Sequence, residues 1–172
     1  SQRLRVLLVD DDDVTRMLLA LALKDDPLVK VIGQATSGAT AIQMARTLNP
    51  DVILMDISMP NMNGIVSTSY IKKEMPHTRI IMVTAHDRLE EIVGAFGHGA
   101  EGYHLKTSSK QDLGKAIRVV ASGSLWLDPG IVSTVLRELS KRSTPIVQNQ
   151  YPSMATQKPA VSDPVHGLMQ VV

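Results

Sequence analysis

Five short apolar runs, each followed by a stretch with apolar residues at helical spacing, leave this chain few folds to choose from. The runs are Leu4–Val9, Val29–Ala35, Val52–Met55, Ile80–Val83 and Gly102–Leu105. They are too short for globular helices and, taken together, rich in Val and Ile, which suits strands buried on both faces of a parallel sheet. Val14–Lys24, Ala39–Leu48, Ile65–Met75, Leu89–Phe96 and Leu113–Ala121 carry the helical pattern between and after them. Strand-then-helix units in this order predict an α/β fold: a doubly wound, five-stranded parallel sheet with right-handed crossovers.

Beyond Gly123 the pattern changes. Asp128 and Pro129 supply an N-cap and a first-turn proline, so Ile131–Leu139 reads as an additional C-terminal helix, with Lys141 and Arg142 suited to its end. Trp126 is expected to pack that helix onto the domain. From Ser143 onward, four of the nine prolines fall in a segment whose formal charges are Lys158 and Asp163 alone. The expected organisation is therefore a main domain over 1–122, a linker helix over 123–142, and a disordered tail or interdomain linker over 143–172.

Composition excludes several classes of function. A formal net charge of +1 gives no dominant basic surface for binding nucleic acid without sequence preference. Specific DNA binding by this chain is not expected either, because nothing after Gly123 offers two consecutive helices with a basic recognition face. Without cysteine there are no disulfides or thiolate metal sites. No apolar run approaches the roughly 18 residues of a membrane span, so a cytoplasmic protein without a membrane partner is expected.

The chemistry gathers at strand ends. In an open α/β sheet the ligand crevice lies at the carboxyl ends of the strands. The first run ends in Asp10-Asp11-Asp12-Asp13, the third in Asp56, the fourth in Thr84 and the fifth in Lys106. Clustered carboxylates repel one another, and a hard divalent cation such as Mg2+ relieves the conflict through oxygen ligands. An aspartate beside that ion can act as nucleophile toward a phosphoryl group. Thr84 and Lys106 could then hold phosphoryl oxygens, which is most of what phosphoryl transfer asks of a protein.

These segments resemble the receiver domains of two-component response regulators. The matching residues are Val6–Asp11, Asp51–Pro60, Met62-Asn63-Gly64, Val83-Thr84-Ala85 and Gly99–Lys106, in the family's order, and the likeness covers about residues 3 to 122. It implies a flavodoxin-like receiver in which Asp56 takes a phosphoryl group from a sensor histidine kinase. Asp11, Asp56 and the Ser58 backbone carbonyl would ligate Mg2+, with Asp10 acting through water. Thr84 and Tyr103 would be a switch pair, Lys106 would hold the phosphoryl oxygens, and Ser58 and His86 would tune phosphate lifetime. Self-phosphorylation and autodephosphorylation would be the chemistry of a signalling domain, not of an enzyme.

The stretch Gly123–Pro129 and the absence of a proline after Lys106, where Thr107 stands, are similar to the NarL/FixJ subfamily. That likeness implies transcriptional output through a DNA-binding domain outside this chain, with a phosphorylation-dependent homodimer as a further expectation. A stand-alone receiver acting through protein contacts is the alternative.

Plainer roles are expected elsewhere. Asp12 and Asp13 are expected to stay off the metal, with Asp13, just before the Val14–Lys24 pattern, reading as the N-cap; Arg16 reads as a solvated surface residue, and His86, His98 and His104 as surface or loop histidines. Met55, Met59 and Met62 read as packing. Asp11-Asp12-Asp13-Val14-Thr15 also fits the nucleophile motif of haloacid-dehalogenase-like phosphatases, but a later acidic metal motif and room for a cap insertion are missing.

Overall fold

The computed structural model describes residues 2–142; the tail expected over 143–172 lies outside them. The chain runs β1 (Leu4–Val9), α1 (Asp13–Leu23), β2 (Val29–Ala35), α2 (Gly38–Leu48), β3 (Val52–Met55), α3 (Gly64–Glu74), β4 (Arg79–Thr84), α4 (Leu89–Gly97), β5 (Gly102–Leu105), α5 (Lys110–Ala121), β6 (Trp126–Leu127) and α6 (Pro129–Arg142). The sheet order is β2-β1-β3-β4-β5-β6, and every pairing is parallel.

The strands read as continuous apolar runs because both sheet faces are covered. Leu7, Val9, Ile53, Met55, Ile80 and Met82 point to one face, where they meet Ile42 of α2, Ile71 of α3, Ile92 of α4 and Ile131 of α6. Val6, Leu8, Val52, Leu54, Ile81 and Val83 alternate with them and meet Leu23 of α1 and Leu113, Ile117 and Val120 of α5. Burying each of these larger side chains contributes about 1.5–3 kcal/mol. Truncating one at the centre, such as Leu54→Ala, costs about 2–5 kcal/mol.

Side-chain caps start several helices at the carboxyl edge of the sheet. Asp12, Ser37, Asn63 and Ser109 each accept from a backbone N–H one turn on, satisfying donors that a helix leaves free. The four-aspartate run divides its labour here. Asp12 is the cap, accepting from Thr15 N at 2.8 Å, while Asp13 stands inside the first turn. The Thr15 hydroxyl and amide, both donating to Asp12, hold its carboxyl below the ordinary range.

The sheet has a sixth strand that the sequence pattern does not reveal. Trp126 and Leu127 pair with Gly102 and Tyr103, and two residues are too few to show a period. This strand also corrects the expectation for Trp126. Its ring packs on the face shared with α1 and α5, whereas Leu127, Ile131 and Val135 pack on the α6 side. Adjacent residues of a strand face opposite ways, so Trp126 cannot reach α6. Asp128 caps α6 through Gly130 N at 2.9 Å. Among the described residues, no helix is long and apolar enough to cross a membrane.

Candidate functional site

Strand order reverses at β1, which lies between β2 and β3, and a ligand crevice is expected at that switch point. The ends of β1, β3, β4 and β5 bring Asp10 and Asp11, Asp56, Thr84 and Lys106 to one place. Asp56 begins where β3 stops: its N–H donates to Val9 O across 2.8 Å, and its side chain is buried. Asp10 is buried as well, its Oδ1 accepting from Asp12 N at 2.9 Å. Asp11 is exposed.

Lys106 binds the cluster together. Its Nζ stands 2.7 Å from Asp10 Oδ2 and 3.0 Å from Asp56 Oδ1. Burial pulls against the lysine's charge, but the two facing carboxylates outweigh it and raise its pKa. Burial likewise pushes the Asp56 carboxyl up; Lys106 opposes the shift, and the charges of Asp10 and Asp11 add to it. Burial and the neighbouring acids thus disfavour the charged form of Asp56, and Lys106 favours it.

Asp10, Asp11 and Asp56 can each bring one carboxylate oxygen within 4.8 Å of the others. One lysine cannot neutralise three such groups, and an all-oxygen donor set suits a hard divalent cation. The residues therefore fit a metal of that kind. Ser58 follows, exposed, on the β3–α3 loop. That loop is packed closely against the acid: a Cβ on Gly64 would fall 2.0 Å from the Asp56 carbonyl oxygen, so only glycine fits where Gly64 N donates to Ile57 O.

Thr84 is buried at the end of β4, and its Oγ1 accepts from His86 N at 3.3 Å. Tyr103 is fully buried and donates its hydroxyl to His86 O at 3.1 Å. Burial, reinforced by the charges of Glu91 and Asp87, raises the tyrosine's pKa. His86 itself is exposed, with Nδ1 3.5 Å from Glu91 Oε2.

Two residues depart from their expected surface roles. Arg16 is buried and its guanidinium donates to the Asp10 carbonyl at 2.7 Å, because the side chain leans back toward the helix start. His104 is buried on β5, with Nδ1 3.1 Å from Asp128 Oδ2. A polar residue on a strand covered on both faces must go inward whichever way it points. The signal for His104 was its place between Tyr103 and Leu105 in a buried strand. His98 is exposed, as expected, with Nδ1 2.7 Å from Gly94 O. Met55 and Met59 are core residues, and Met62 packs at the edge of the same cluster. Asp13 pairs with Arg16 and lies outside the carboxylate group, which leaves the dehalogenase-like arrangement without its second acid.

Comparison with known proteins places this geometry. The sequence profile of the response regulator receiver domain matches residues 6–118, and the chain belongs to that family: it is the receiver domain of a two-component response regulator. It is similar to the response regulator protein VraR of Staphylococcus aureus strain Mu3, at 33% identity over 140 residues, covering 81% of this chain and 67% of VraR. A LuxR-family response regulator from Aurantimonas sp. SI85-9A1 superposes with a TM-score of 0.77 at 28% identity, over 81% of this chain and 99% of that one. The isolated REC domain of RcsB from Salmonella enterica serovar Typhimurium, solved with the phosphomimetic BeF3-, gives 0.70 at 26% identity, over 78% and 99%.

Proposed function

We propose that Asp56 accepts a phosphoryl group from a phosphohistidine of a sensor histidine kinase, in a reaction that needs Mg2+, and that Thr84 and Tyr103 convert the modification into a change of surface. The observation that carries this reading is Lys106 Nζ standing between Asp10 and Asp56, a cation placed where phosphoryl oxygens would come to lie. An Asp56 carboxylate oxygen forms the new bond to phosphorus as the phosphorus–nitrogen bond to the donor imidazole breaks. Lys106 favours the ionised form of Asp56 for that attack and then pairs with a phosphoryl oxygen.

Asp11, Asp56 and the Ser58 carbonyl would hold Mg2+, with Asp10 acting through water; when bound, the ion supplies charge that offsets the transferring oxygens. Thr84 Oγ1 leaves His86 N to donate to the phosphoryl group, while buried Tyr103 holds the His86 carbonyl. Ser58 and His86, both exposed at the rim, set how readily water reaches the acyl phosphate. The domain modifies itself and hydrolyses its own phosphate without turning over a substrate.

Phosphorylation then promotes a homodimer through the surface near Thr84, His86 and Tyr103. Output is transcription through a DNA-binding domain outside this chain, a reading supported by the LuxR-family description of a structural relative. The test is labelling by a small phosphodonor with Mg2+ present or chelated. Rapid labelling that chelation abolishes supports the proposal. Labelling at the same rate without the ion contradicts it.

A further inference from the structure

Arg16 sits in the second turn of α1 with its neighbours reversed. Val14, Met17 and Leu18 are 57%, 60% and 55% exposed, yet the arginine is 8% exposed. Taking a guanidinium out of water is costly, and its Nε is buried without a hydrogen-bond partner, which adds to the cost. Packing alone would favour an apolar residue here. The guanidinium is instead turned back over the β1–α1 connection, where Nη1 donates to Asp10 O at 2.7 Å and Nη2 pairs with Asp13.

That carbonyl belongs to the peptide joining Asp10 to Asp11. The rest of Asp10 is already fixed: its N–H donates to Ala35 O, Oδ1 accepts from Asp12 N, and Oδ2 faces Lys106. Asp11 is exposed, so the direction of its carboxylate depends on the plane of that preceding peptide. We infer that Arg16 is a positioning residue for the cation: by gripping the Asp10 carbonyl it presents Asp11 to the ion shared with Asp56. The inference rests on the reading of Asp10, Asp11 and Asp56 as the cation-binding set. Residues that orient metal ligands typically change affinity by about 10–100-fold when removed.

The experiment is a Mg2+ titration of the full chain followed by amide NMR shifts, beside the phosphorylation rate at saturating Mg2+. Arg16→Met is expected to weaken Mg2+ binding by about tenfold while the saturated rate stays near the wild-type value. Arg16→Lys, which keeps the charge and one donor, is expected to recover part of the affinity, and it carries the test if Arg16→Met does not fold. Ile117→Val, buried on the α5 side of the sheet, is the control: it should lose stability and keep its Mg2+ affinity. Unchanged Mg2+ affinity in folded Arg16 variants overturns the inference. Failure of the wild type to bind Mg2+ overturns the underlying site reading instead, so the two failures are distinguishable.

Discussion

Thr84 and Tyr103 are joined through the backbone of one residue: the His86 N–H donates to Thr84 Oγ1 at 3.3 Å, and the His86 carbonyl accepts from the Tyr103 hydroxyl at 3.1 Å. A movement of the threonine therefore frees one end of a peptide segment whose other end the tyrosine holds. Tyr103→Phe is expected to cost about 1 kcal/mol in urea unfolding, the ordinary value of one hydrogen bond. On phosphorylation, the His86 amide resonance should shift in the wild type. It should shift differently in Tyr103→Phe and hardly at all in Thr84→Ala. Identical responses in all three proteins would contradict the coupling.

The strands could be read from the sequence because sheet burial is periodic and local. Val6 and Leu8 go to one face and Leu7 and Val9 to the other, and each face has its own helices. The strand ends then placed Asp56, Thr84 and Lys106 without further information. What escaped was long-range. Trp126 and Leu127 form a strand only because Gly102 and Tyr103 offer an open edge. Arg16 is buried with a partner 6 residues away, Asp10, and no local pattern encodes such a partner.

Burial and the neighbouring carboxylates raise the Asp56 pKa despite Lys106, so the ionised acid destabilises the metal-free fold. A raised carboxylate pKa means that the native state holds its proton more tightly than the unfolded state does. Stability is therefore lost as pH rises through the titration. Asp56→Asn removes that penalty and leaves Lys106 with Asp10. In chelator at neutral pH the variant should be more stable than the wild type, with a higher Tm. The gain should shrink as pH falls and the wild-type acid takes up its proton. Calorimetry across pH checks this; a variant less stable than wild type at neutral pH would contradict it.

His104 has the opposite sign. Burial lowers its pKa from 6.5, against the pull of the Asp128 and Asp112 carboxylates. The unfolded chain then takes up the proton first, so this contribution is complete above about pH 6.5 and is lost as pH falls toward the folded value. His104→Gln should flatten the pH dependence of urea unfolding between about pH 7 and pH 5. An equally steep decline in the variant would show that other groups are responsible.

Gly64 is constrained by contact, not by its dihedral angles. With an added Cβ 2.0 Å from the Asp56 carbonyl oxygen, Gly64→Ala must push the β3–α3 loop outward. The expected cost is about 1–3 kcal/mol, together with slower phosphorylation as Asp56 shifts. Gly97, where a Cβ meets nothing within 4 Å, is the comparison position. Equal tolerance of alanine at both sites would contradict the close packing.

The central claim is that Asp56, one of the two carboxylates held by Lys106, is the phosphoacceptor. Its most direct test is to treat the chain with a small phosphodonor and Mg2+, trap the base-labile adduct by reduction, and map the modified peptide by mass spectrometry. The modification is expected on Asp56 and should disappear in Asp56→Asn. Full labelling of Asp56→Asn, or an adduct mapped to Asp10 or Asp11 in the wild type, would contradict it.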